Sequence, residues 1–226
     1  EPISHSGIVG VPLNDVTVKL IPDDEMRCEV RVKGSNIMTG YFEDPEKTAE
    51  CFDEEGFFIT GDAMRFVDPD DPNKGLRFDG RISEDFKLLT GTWVRAAALR
   101  LDLLGCLAPL AADVVITGHD RGEIGVLVFP NSEALASAGH AVRDVDGALS
   151  CESLVAEVTR RLGERAQIAS GSSTKVGRAL FLAEPASLGD GELTAKGSLN
   201  ARKILSRRAQ LLERLYDDAD PATIHI

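Results

Sequence analysis

Over residues 7–33 apolar and polar positions alternate. Val16, Val18 and Leu20 share one face of a predicted strand, and Cys28, Val30 and Val32 one face of the next. Between them, Pro22-Asp23-Asp24 predicts a turn. Asp44-Pro45 predicts a short helix to about Cys51, with Asp44 as cap and Pro45 at the first helical position. After the turn Asp53-Glu54-Glu55-Gly56, Phe57-Phe58-Ile59 reads as a compact apolar strand ending at Thr60-Gly61-Asp62. An Asp/Pro-rich loop over 68–74 then separates a strand ending near Val67 from one over 76–78.

Ser83-Glu84-Asp85 is polar and aperiodic, the expected joint of the chain. Beyond it strands and helices alternate. A helix is predicted over 96–104, then strands over 113–117 and 124–129 joined by the turn His119-Asp120-Arg121-Gly122. Ser150 caps a predicted helix carrying Leu154, Val155, Val158 and Leu162 on one face. A strand over 178–182 follows, and a last helix begins near Leu199 with Ile204, Leu205, Leu211, Leu212 and Leu215 at helical spacing. The expected class is α+β: a β-rich part over 1–82, a hinge at 83–85 and a small α+β domain over 86–226.

Composition narrows the function. With 25 basic and 37 acidic residues among 226, the net charge of -12 argues against coating nucleic acid or binding an anionic membrane, since either needs a basic face. It leaves room for a nucleotide ligand, which one arginine and one lysine can hold. No apolar run approaches a membrane span, and Glu1-Pro2 begins no signal-peptide pattern. Cys28, Cys51, Cys106 and Cys151 are scattered, as expected of reduced cytoplasmic thiols. His5, His119, His140 and His225 show no metal-ligand spacing, so no metal site is expected.

Four places could carry chemistry, each with a plainer reading beside it. Asp62, after Gly61, offers a carboxylate whose two oxygens can each accept a hydroxyl of a sugar diol; the alternative is a simple β-turn. Arg81, after Gly80, could hold ribose or phosphate oxygens if its strand pairs with that of Asp62; the alternative is a surface ion pair with Asp79 or Glu84. Lys196, between Gly191 and Gly197, could enter a cleft and neutralise charge between a carboxylate and a phosphate, or be a solvent lysine. The run from Lys87 through Gly91 to Trp93 and Val94 is either a mobile loop that lets substrate approach its backbone or a hairpin with Trp93 in the core.

Together, these strings resemble the C-terminal portion of the adenylate-forming superfamily of acyl- and aryl-CoA synthetases. Gly34-Ser35-Asn36-Ile37-Met38-Thr39-Gly40-Tyr41-Phe42, Phe58-Ile59-Thr60-Gly61-Asp62 and Asp79-Gly80-Arg81 stand in the family's order, followed by Lys87 and Gly91. The wording of 77–94, with Thr194-Ala195-Lys196-Gly197-Ser198-Leu199-Asn200, is similar to the feruloyl-CoA synthetase branch. The resemblance implies that Asp62 and Arg81 bind the ribose of ATP and acyl-AMP, that Lys196 serves adenylation, and that Lys87, Gly91 and Trp93 belong to the segment that takes part when CoA enters. Its implied ligands are a carboxylic acid, ATP with Mg2+, and CoA.

The sequence departs from the family in several places. Ser83 stands where many members have a charged hinge residue, one extra residue separates Lys87 from Gly91, and the Ser-Gly-Lys order is absent at Lys196. Nothing matches the family's upstream triphosphate loop. Gly171-Ser172-Ser173-Thr174-Lys175 has a similar composition but follows the joint and reads as a connection. The expectation is a C-terminal fragment, inactive without its missing large domain. A stand-alone binding module and an enzyme that loads a carrier-protein thiol are the alternatives.

Overall fold

The computed structural model describes residues 7–22, 27–168 and 171–226. Asp23 and Asp24 of the expected turn, and His5, lie outside these. The chain divides into two compact units, Glu1–Glu84 and Asp85–Ile226.

The first unit contains β1 (Ile8–Gly10), β2 (Val16–Pro22), β3 (Arg27–Gly34), α1 (Pro45–Glu50), β4 (Phe58–Phe66) and β5 (Leu76–Arg81). The strands form one antiparallel sheet in the order β1-β5-β4-β3-β2. Register places Val18 opposite Val32 and Leu20 opposite Val30, so the alternating residues meet on one face. At α1 the Asp44 carboxylate accepts from the Lys47 amide at 3.0 Å and Pro45 opens the helix. One expectation is corrected: β4 does not end at Thr60-Gly61-Asp62 but continues through it to Phe66, because the motif is absorbed as a bulge rather than a turn.

The second unit opens with a hairpin of β6 (Phe86–Lys87) and β7 (Trp93–Val94). Then come α2 (Ala96–Leu107), β8 (Ala111–Thr117), β9 (Ile124–Pro130), α3 (Ser132–Ser137), β10 (Arg143–Val145), β11 (Ala148–Ser150), α4 (Glu152–Ile168), β12 (Val176–Leu182), α5 (Ala201–Arg207), α6 (Ala209–Leu215) and β13 (Ile224–His225). The sheet runs β10-β11-β12-β9-β8, with β13 also on β12. Strands β9 and β12 pair in parallel.

Period two explains why this unit has helices on both faces. Val114, Ile116, Val126, Val128, Ala179 and Phe181 turn to one side and pack with Leu99, Leu103, Leu154 and Val158 of α2 and α4. The residues between them, Val115, Leu127, Phe129, Leu180 and Leu182, turn to the other and pack with Ile204 and Leu215 of α5 and α6. A strand covered on both sides needs a nearly unbroken apolar run, which β9 and β12 have. The predicted last helix is two helices that start after Leu199. Arg208 interrupts them with φ -98 and ψ 33, where its side chain turns inward to a buried acid.

Candidate functional site

Asp62 and Arg81 are presented by two facing bulges. Between Glu29 and Arg31 of β3 lies only Val30, whereas β4 places Thr60, Gly61 and Asp62 across from it. On the other side of β4, Ala63 alone faces Asp79 and Gly80 of β5. Gly61 at φ +70 and Gly80 at φ +95 supply the left-handed backbone that these insertions require. A Cβ on Gly61 would meet nothing within 4 Å, so the requirement there is conformational and not one of space. The Thr60 hydroxyl compensates for the interrupted ladder: it donates to the Val30 carbonyl at 2.5 Å and accepts from the Asp62 amide at 3.1 Å.

These bulges make Asp62 and Arg81 direct cross-strand partners. The Arg81 Nε stands 3.4 Å from Asp62 Oδ1, with the arginine side chain 56% exposed and the aspartate 25%. The contact is an ion pair without hydrogen-bond alignment. Oδ1 of Asp62 is itself buried and accepts no hydrogen bond from the described residues, so it retains acceptor capacity for a hydroxyl. Arg81 therefore does not pair with Asp79 or Glu84 as its plainer reading had it. Asp79 is occupied by Arg65 at 2.8 Å and by the buried Arg27, whose guanidinium also donates to the Asp79 carbonyl at 3.1 Å. Asp79 thus braces the bulge.

In the second unit, Lys87 and Trp93 are opposed across the β6–β7 hairpin, with the ammonium 5.0 Å from the indole centroid. Gly91 closes the turn at φ +82, its amide donating to the Leu88 carbonyl at 2.8 Å. The hairpin reading holds, but Trp93 is not in the core: it is 51% exposed. Phe86 and Val94, their side chains on the opposite face, fill the core instead. The Thr92 hydroxyl lies 3.2 Å from that of Ser172, which sets the Gly171–Lys175 loop beside this turn.

Lys196 projects from a tight turn. The Thr194 amide donates to the Ser198 carbonyl at 2.8 Å, the Gly197 amide to the Thr194 carbonyl at 2.9 Å, and Leu193 bridges Leu199. The ammonium is exposed and has no partner among the described residues.

Behind the turn stands Glu192, which the sequence reading passed over. Its side chain is 0% exposed. It accepts from Arg208 Nη2 at 2.7 Å and Nε at 2.8 Å, from Arg207 at 3.2 Å and from the Ser187 amide at 2.9 Å. The Arg208 guanidinium, aided by that amide and by Arg207, holds the Glu192 carboxyl down at about 2 against the desolvation that opposes it. A signal existed: Arg208 falls on the apolar side of its helix pair, four residues after Ile204 and seven before Leu215, where a charge needs a buried partner.

No protein-family model matches the chain. A probable acyl-activating enzyme 16 of Arabidopsis thaliana chloroplasts is 27% identical over 93% of the chain and 31% of its own length. A long-chain-fatty-acid–CoA ligase 1 from Cavia porcellus is 32% identical over 58% of the chain and 19% of its own. Among solved structures, the adenylation domain of a carboxylate reductase from Mycobacterium chelonae superposes with a TM-score of 0.72 at 26% identity, over 90% of the chain and 31% of that domain. Its homologues are adenylate-forming enzymes. The fold is that of the C-terminal part of an adenylation domain, and the chain spans about a third or less of its adenylating relatives.

Proposed function

We propose that the chain is the C-terminal part of an ATP-dependent acid–thiol ligase. The observation that carries this reading is the Asp62–Arg81 pair on facing bulges, with a buried carboxylate oxygen that accepts no hydrogen bond within the described protein. Asp62 accepts the ribose hydroxyls of ATP and of acyl-AMP, and Arg81 steadies the same sugar. A carboxylate oxygen attacks the α-phosphorus as the bond to pyrophosphate breaks. Lys196 offsets the negative charge that gathers there. The sulfur of CoA then attacks the acyl carbon and AMP leaves, with Lys87, Gly91 and Trp93 lining the approach of the thiol.

Mg2+ would enter with the triphosphate of ATP; among the described residues no group of three or more His, Cys, Asp or Glu is placed to hold a metal ion. No helix among the described residues is long and apolar enough to cross a membrane. The phrasing of 77–94 and 194–200 favours a feruloyl-type or other aryl acid.

Pyrophosphate exchange tests the reading. The full-length protein should exchange label into ATP when an aryl acid is supplied, and failure with aryl and aliphatic acids alike would remove it in favour of a non-catalytic binding module. The 226-residue chain alone should show no exchange; measurable exchange would overturn the inference that its triphosphate cradle lies elsewhere. Offering CoA and a carrier-protein thiol as acceptors in parallel decides which thiol is used.

A further inference from the structure

We propose that Glu192 is a positioning residue for Lys196, acting as a charged anchor that fixes the base of the turn while leaving its tip free. The inference rests on the adenylation role given to Lys196 above. The anchor closes a loop of contacts. Through its backbone, Glu192 accepts from the Asn200 amide at 2.8 Å. Asn200 in turn caps α5, its side chain accepting from the Lys203 amide at 3.2 Å. At the far end of α5, Arg207 and Arg208 return to the Glu192 carboxylate. Residues 193–199, bridged at their ends by Leu193 and Leu199, emerge from this closed ring, with Lys196 at the tip.

The division of bonds makes the anchor separable from the fold. Arg208 is also held by the carbonyls of Glu184 at 2.9 Å and Pro185 at 2.8 Å, and lies 5.0 Å from the Phe129 ring centroid. Neutralising Glu192 therefore releases the turn before it releases the helix pair. A buried carboxylate is costly to keep unless its partners are fixed, and those partners sit on elements packed in the core. An electrostatic catalyst needs this arrangement: its charge must be aimed without being quenched.

The test uses the full-length protein with Glu192→Gln, which keeps shape and removes charge. Arg207→Ala is a milder companion that deletes one arm of the clamp. Hydrogen exchange at residues 193–198 should accelerate about tenfold in Glu192→Gln, the scale of a lost charge-assisted hydrogen bond, and by more than any change in α2 and α4. Pyrophosphate exchange should fall about tenfold in kcat with little change in KM for ATP, and thioester formation from supplied acyl-adenylate should persist. Arg207→Ala should move both readouts the same way by a smaller factor. Unchanged exchange at 193–198 in both variants overturns the anchor. Faster exchange with undiminished adenylation, while Lys196→Ala abolishes it, overturns the positioning role alone. Undiminished adenylation in Lys196→Ala itself defeats the reading beneath it.

Discussion

The rim of β4 and β5 and the turn at Lys196 solve opposite problems. Asp62 and Arg81 lie within a sheet, each the other's cross-strand neighbour on facing bulges. Lys196 lies on a short turn and its ammonium has no partner among the described residues. The first pair is preorganised by mutual contact, which suits groups that must bind a sugar the same way in each step. The lysine is left unquenched and is constrained from behind, through Glu192 and Arg208. A binding pair can be aimed by mutual contact and still keep acceptor capacity for its ligand, whereas a residue that neutralises transient charge has to be aimed without a partner of its own.

The strongest way to break this contrast is Lys196→Ala in the full-length protein. Loss of one preorganised charge at a reacting phosphate should lower the adenylation rate about 10²- to 10³-fold. Thioester formation from pre-made acyl-adenylate should change by no more than about threefold, since that step breaks the acyl carbon–oxygen bond and leaves the bonds at the α-phosphorus unchanged. Measuring both half-reactions on one preparation decides it, and equal losses would strip Lys196 of its separate role.

Next in size is the acid sensitivity of the anchor. Glu192 has its folded-state pKa lowered from 4.5 to about 2. A depressed carboxyl stabilises the fold fully above its unfolded value, and that contribution fades as pH falls from about 4.5 through about 2. Denaturant titrations of wild type and Glu192→Gln should therefore differ most near pH 6 and converge only below about pH 2. A gap that is constant with pH would mean that the charge contributes nothing and the loss is one of packing.

Most of the second unit could be read in advance because its strands are covered on both faces. Leu127 and Val128 point to different cores, so the run from Ile124 to Pro130 stays apolar whatever the register. The bulges could not be read this way. A bulge is a mismatch between two strands, and Thr60-Gly61-Asp62 shows only that left-handed backbone is available, which a turn also uses. Glu192 escaped notice for a related reason: Arg208 on the apolar side of its helix pair signals that a buried partner exists, but that partner lies sixteen residues earlier and nothing local says which acid it is. Trp93 shows which of two open alternatives a partner can decide. Aromatic residues are usually sheltered, but its cross-strand partner is Lys87, and a charged partner marks the outward face.

At the rim, Asp62→Asn should weaken ATP binding about tenfold, seen as a rise in KM for ATP at nearly constant kcat. The amide keeps one oxygen but loses the charge facing Arg81 and half the acceptor capacity for a diol. A fall in kcat with KM unchanged would move Asp62 from binding to the chemical step and erase the distinction from Lys196.

The smallest effect separates exposure from use. A buried tryptophan costs roughly 3–5 kcal/mol when cut to alanine, but Trp93 is half-exposed and its stacking on Lys87 is a solvent-facing contact worth about 0.5–1 kcal/mol. Trp93→Ala should therefore lower stability by no more than about 1 kcal/mol in a denaturant titration, because Phe86 and Val94 continue to anchor the hairpin in the core. If the exposed ring lines the thiol's approach, the same variant raises the KM for CoA several-fold and leaves pyrophosphate exchange untouched. A large loss of stability would place the indole in the core after all. A stable variant with unchanged CoA kinetics would return this hairpin to a structural role and leave Lys196 as the second unit's sole catalytic assignment.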